Sequence, residues 1–195
     1  MSNRSQPGQI RRELRFSRSA IERNLDAIGL KLEQVKPLTE SLMTPEGLLA
    51  LSGSELLLLE KALGLQTGEP AVELVGELIS VKTVPAATGV SYGYLHKTSR
   101  QTNLGLVAIG FSDGIPRSAT NKFEVTIAGK SFKAIGRVAM DQCVIDLGDE
   151  VLQPGEEVHF FTTEFGVRDW SRVSEFTCLE ILGRITARVS RVWSE

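Results

Sequence analysis

The 195 residues are 42% apolar and 24% charged with a formal net charge of -2, an ordinary globular balance with no strong field to attract nucleic acid. No apolar run approaches the ~20 residues that a membrane-crossing helix needs, and Met1–Gln9 is polar, without the apolar core of a secretory signal. Cys143 and Cys178 stand far apart in apolar surroundings and His96 and His159 stand alone, so the expectation is a cytoplasmic protein with reduced thiols and no metal site.

Residues 1–16 are polar and locally basic, with Arg4, Arg11, Arg12 and Arg15, and read as a frayed leader. A helical segment is expected over residues 17–68. Ser19 and Glu22 have the spacing of a capping box. Ile21, Leu25, Ile28, Leu32 and Val35 then recur every three or four residues as one apolar stripe. Thr44-Pro45-Glu46 opens a second helical piece. Ser52-Gly53-Ser54-Glu55 starts a third, Leu56–Leu63, which Gly64 stops. These short helices must bury their apolar faces against the rest of the chain or against another copy.

After Gly68-Glu69-Pro70 the period changes to that of strands. Val72 to Val84 reads as strand, Leu104–Phe111 as a buried run, and Phe123 to Ala134 as a hairpin turning at Ala128-Gly129-Lys130. Val138–Leu147 reads as a strand pair interrupted by Met140-Asp141-Gln142, and Val158–Phe161 as a strand after a Pro-Gly turn. Arg168–Phe176 is expected as one short helix and Ile181–Trp193 as a closing strand. The chain is thus expected to be mainly β, a barrel-like or sandwich domain over residues 72–195 behind a short helical segment. Within it, Gly89-Val90-Ser91-Tyr92-Gly93 holds a tyrosine between two glycines. On local chemistry, that tyrosine is either a turn residue with a satisfied hydroxyl or a proton carrier.

Four segments line up in order: Gly89–Gly93, Gly110-Phe111-Ser112-Asp113-Gly114-Ile115-Pro116-Arg117, Gly136-Arg137-Val138-Ala139-Met140-Asp141-Gln142, and Leu179-Glu180-Ile181-Leu182. Together they resemble the carboxy-terminal β domain of alanine racemase, the pyridoxal-phosphate isomerase that interconverts L- and D-alanine. The resemblance covers about residues 72–193, and the ending Arg188–Trp193 fits it too. It implies a head-to-tail dimer in which each site joins one subunit's barrel to the other's β domain. It implies that Tyr92 is one of two bases acting on opposite faces of Cα while the cofactor delocalises the carbanion. The backbone around Met140 would meet the substrate carboxylate, with Arg117, Arg137 and Asp141 lining the polar approach.

The other base of that family is the lysine that holds pyridoxal phosphate, in a Val-Lys-Ala-Asn-Ala-Tyr-Gly-type segment. No lysine here has that context. The barrel carrying it needs about 200 residues or more, and only short helices precede residue 72. The expectation is a chain without the barrel, binding no cofactor alone and inactive by itself. Phe111 stands where the family has a tyrosine, Leu179 where a tyrosine contacts the cofactor phosphate, and Ala139 where a cysteine is common. Three readings remain open. One is a β domain completing the site of a barrel-containing racemase. Another is a non-catalytic module, dimerising through Ile21 and Leu25 on its helices or regulating a racemase. The third is a small-amino-acid-binding domain built on Met140 and Arg137.

Overall fold

The computed structural model describes residues 10–162 and 165–195; Met1–Gln9, most of the expected leader, lies outside them. The leader reading fails at its far end, where β1 spans Glu13–Ser17. Leu14 and Phe16 point inward, fully buried, and alternate with Glu13 and Arg15, a period of two that the charge density of the segment disguises. β1 pairs antiparallel with β2 (Val72–Val84) and parallel with the last strand, β10 (Ser190–Ser194).

Helix α1 (Arg18–Asp26) begins two residues earlier than the Ser19–Glu22 spacing suggests. Ser17 is its cap, with the hydroxyl accepting from the Ala20 amide at 3.2 Å. The expected stripe ends early because Gly29 turns the chain at φ +75° and leaves Ile28 outside. Leu32–Val35 is a 3-10 turn leading into α2 (Lys36–Ser41). The Pro45 segment forms only a 3-10 turn, Gly47–Ala50. Helix α3 (Gly53–Ala62) starts on a complete Ser52–Glu55 capping box. Ile21 and Leu25 are fully buried in the core that also holds Leu14, Phe16 and Leu74. Both are therefore covered within the chain and present no face to a second copy.

The main sheet closes on itself. Around it run β2, β5 (Thr102–Val107), β8 (Cys143–Gly148), β7 (Lys130–Ile135), β6 (Glu124–Ile127) and β9 (Glu157–His159), and β9 pairs back to β2 from Val75 to Glu77. β2 is long enough, at 13 residues, to pair β1 and β9 along its first half and β5 along its second, with a register break between Leu78 and Ser80. The interior is narrow. A Cβ on Gly105 would lie 2.8 Å from Leu78 and 2.9 Å from Ile145, so the barrel is filled by side chains and encloses no ligand space there.

Between β2 and β5 a small hairpin of β3 (Gly89–Val90) and β4 (His96–Lys97) carries the Tyr92 turn. Residues 136–142 are a loop, so the expected strand pair over 138–147 reduces to β8 alone. Helix α4 (Val167–Ser174) forms as expected and seats Trp170, whose indole donates to the Phe160 carbonyl at 2.8 Å. The expected closing strand splits into helix α5 (Cys178–Arg184) and β10. A Thr177–Glu180 capping box starts that helix, a signal its aliphatic content concealed.

One buried carboxylate ties the chain ends to the loop after β5. Asp113 is 1% exposed; its Oδ2 accepts from the Gly110 amide at 2.9 Å. Oδ1 has no hydrogen bond within the described residues but faces Arg188 Nε at 3.2 Å and Arg12 Nε at 3.5 Å. Arg12 also donates to the Ala108 carbonyl at 2.6 Å. Burial raises the Asp113 pKa, and the Gly110 amide, Arg12 and Arg188 hold it down. Because burial wins, the ionised carboxylate weakens the fold above its folded-state pKa, and stability is regained as pH falls through that value. Arg12→Ala removes one restraint and raises that pKa further. We expect it to lower unfolding free energy by about 2 kcal/mol at neutral pH. The loss should shrink on acidification as Asp113 protonates, which urea unfolding at pH 7 and pH 4.5 will read.

Candidate functional site

The residues singled out from sequence sit on three loops that meet outside the barrel. The first is the turn between β3 and β4. Ser91, Gly93 and Tyr94 all adopt positive φ, at +58°, +74° and +47°, a strained run for the two side-chain-bearing residues. Ser91 is held by its hydroxyl, which donates to the Arg137 carbonyl at 2.7 Å. The Tyr94 ring lies over Gly89, where an added Cβ would come within 2.3 Å of it. With Ser91 and Tyr94 held on either side of the turn, Tyr92 projects outward, 71% exposed.

The second and third loops lie flat against each other. Phe111 donates its amide to the Ala139 carbonyl at 3.0 Å, Ser112 to the Met140 carbonyl at 2.8 Å, and Ala139 to the Gln142 carbonyl at 3.0 Å. Gly110 permits this approach: a Cβ there would stand 2.5 Å from the Ala139 and Met140 carbonyl oxygens and the Gln142 nitrogen. The Met140 side chain is exposed, and the amides of Met140 and Asp141 donate to no described residue. Arg137 passes from this loop toward the tyrosine turn, with its guanidinium 3.8 Å from where a Gly93 Cβ would be. It forms no ion pair among the described residues. Asp141 is paired with Arg188 at 2.6 Å, a bond that raises the already high Arg188 pKa.

Tyr92, Arg137, Met140 and Asp141 are thereby joined through one hydrogen-bonded scaffold. Arg117 is not part of it. Its guanidinium lies over the Phe111 ring, 5.4 Å from the centroid, and faces a different cleft. Leu179, on α5, packs against the core. Two contributors escaped sequence reasoning. Arg188 binds both Asp113 and Asp141, yet nothing in the terminal run of arginines distinguishes it from Arg184 or Arg191. Gly110 begins a recognised motif, but its reason for being glycine is visible only once the 139–142 loop lies on it.

Chemically, the scaffold presents two free backbone donors and a free guanidinium, an anion-receptive surface, beside a phenol able to donate or accept a proton. We expect Gly110→Ala to disrupt this arrangement without unfolding the barrel. Amide resonances of residues 110–113 and 139–142 should shift, while those of β5 and β8 stay within small changes. The unfolding free energy should drop by about 1–3 kcal/mol. Heteronuclear NMR spectra and chemical denaturation of the variant check both outcomes.

Comparison with known proteins places the fold and these loops in a family. The family profile described as "Alanine racemase, C-terminal domain" matches residues 71–193. The alanine racemase of Thermobifida fusca is 41% identical over 129 residues, which are 64% of this chain and 34% of that protein. The crystal structure of alanine racemase from the D-cycloserine producer Streptomyces lavendulae superposes with a TM-score of 0.62 at 41% identity. It covers 66% of this chain and 35% of that one. The Streptomyces coelicolor A3(2) enzyme gives a TM-score of 0.62 at 40% identity, covering 65% of this chain and 34% of that one. The chain thus spans about a third of the length of the relatives it matches, and by this match it belongs to the alanine racemase C-terminal domain family.

Proposed function

We propose that this chain supplies the carboxylate-binding and proton-transferring half of an amino-acid racemase site, and that a barrel-bearing racemase subunit supplies the other half. The observation that carries the reading is the exposed Tyr92 phenol on a turn clamped to Arg137, linked to the unengaged Met140 and Asp141 amides. Those amides can accept the carboxylate of a small amino acid such as alanine, as donors that lose no hydrogen bond on binding it. With the carboxylate anchored, Tyr92 is placed to move a proton at Cα from one side only. Arg137 supports the carboxylate's charge, and the Asp141–Arg188 pair fixes the far end of the loop.

Pyridoxal phosphate, which the family implies, is not matched by the groups on these loops. Residues 89–94, 110–117 and 136–142 contain no lysine to form an imine with it. Phe111 and Leu179 offer no hydroxyl to its phosphate. The residues present do not fit the cofactor as a resident group, and it belongs with the partner half. The exposed Tyr92, Tyr94, Leu95 and Met140 side chains favour one second reading. An apolar surface of this kind also suits a module that docks on a racemase without taking part in its chemistry.

The test mixes the full chain with a racemase subunit truncated before its own C-terminal domain, with pyridoxal phosphate added. The expected result is D-alanine formation by the mixture and by neither part alone. Tyr92→Phe should lower kcat by about 10²–10⁴-fold, the range of a lost general acid–base group, while the mixture still assembles in size-exclusion chromatography. Assembly without turnover, or turnover indifferent to Tyr92→Phe, would support the docking module instead. A borohydride-fixed cofactor on the chain alone would overturn the division of labour altogether.

A further inference from the structure

We propose that a second anion-binding site lies between Arg117 and Arg184, selective for a small ligand with a doubly charged oxyanion group. It stands apart from the racemase reading and does not depend on it. The two arginines line a cleft of about 410 Å³ together with Phe111, Gly114, Ile115, Ser118 and Phe176. Each guanidinium is stacked on an aromatic face: Arg117 over Phe111 at 5.4 Å and Arg184 over Phe176 at 4.2 Å. Stacking fixes the plane of a guanidinium and leaves its N–H edge directed outward, the orientation that bidentate binding of a phosphate or carboxylate uses.

The loop geometry that brings the two arginines to one cleft is specific. Gly114 adopts φ +116°, and a Cβ on it would stand 2.6 Å from the Arg184 carbonyl oxygen, so only glycine lets the 114–118 segment rest on the end of α5. Neither guanidinium forms an ion pair among the described residues, although Arg11, Arg12, Arg15, Arg23, Arg100, Arg172 and Arg188 all do.

Their freedom has a cause. Glu180, one helical turn before Arg184, caps α5 by accepting from the Thr177 amide at 2.7 Å. Asp113, four residues before Arg117, is committed to the Gly110 amide, Arg12 and Arg188. Asp141 is committed to Arg188. These three carboxylates are thus hydrogen-bonded or ion-paired to other groups, and the two stacked guanidinium groups line the cleft without an ion pair among the described residues. One oxyanion carrying two charges satisfies both, and the flanking Phe111 and Phe176 rings offer apolar surface to the body of the ligand.

The experiment titrates the full chain with inorganic phosphate and, separately, with succinate, at constant ionic strength set by sodium chloride. Binding is followed by calorimetry and by the NMR signals of the Arg117 and Arg184 Nε–H groups. Saturable binding is expected, weakened about tenfold or more by Arg117→Gln or Arg184→Gln, and unchanged by Arg172→Gln, which removes a surface arginine elsewhere. Circular dichroism confirms that each variant is folded, and Arg184→Lys should recover only part of the affinity because lysine cannot bind bidentately. Tighter binding of phosphate than of succinate is expected, and tighter binding of succinate would overturn the assignment to a single doubly charged oxyanion. Absence of saturation with both anions, or equal binding by the glutamine variants, would overturn the proposal.

Discussion

The fold and its functional loops depend on a buried carboxylate between two cations. Asp113 sits at a point where the amino-terminal strand, the segment before β10 and the loop after β5 converge. Its ion pairs with Arg12 and Arg188 hold all three together. The sheet cannot do this alone, because β1 and β10 join the barrel only along β2. The Gly110 amide bonded to Asp113 begins the stretch whose next two amides seat the Ala139–Gln142 loop. Backbone geometry at Met140 is therefore linked to charge at Asp113 through a short, continuous path. A buried carboxylate with a hydrogen bond and two facing guanidinium groups is a specific device, since removal of one partner leaves an undercompensated charge rather than a neutral gap.

What was legible in sequence follows from the range of the interactions involved. The hairpin at Ala128-Gly129 could be read because the turn is local and Gly129 readily takes its φ of +75°, although Ala128 is held at a less favourable +48°. The α3 start was legible for the same reason, through Ser52 and Glu55. Helix α5 was missed although Thr177 and Glu180 form an equally good box. Its aliphatic residues have no period that separates helix from strand over seven positions. β1 was missed because alternating charge reads as solvated until a partner strand is known. Arg15 is in fact bonded to Glu13 and to Glu157 across the sheet.

The site divides along the same line. The motifs single out Tyr92, Arg137, Met140 and Asp141 as candidates, and their loops are joined into one scaffold by backbone hydrogen bonds and the Ser91 hydroxyl. Arg117 was grouped with them through its motif, yet its side chain turns onto Phe111 and joins Arg184 instead. A family motif fixes the course of the backbone more firmly than the direction of a long side chain, whose stacking partner can be supplied from anywhere in the fold. Phe111 illustrates this: the ring retained without a hydroxyl serves as a platform for a cation.

The closed barrel also constrains where chemistry can happen. The six barrel strands leave an interior that Leu78, Ile109 and Ile145 fill, and a Cβ on Gly76 or Gly105 would strike those side chains. Any ligand must therefore bind on the outside, against loops. A surface of this kind offers its groups to a ligand from one side only. The exposed Tyr92, Tyr94 and Met140 side chains lie on that outer surface, where apolar area is unfavourable in water. On physical grounds, then, the loops outside the barrel, and not its interior, are where a ligand or a covering surface can be met.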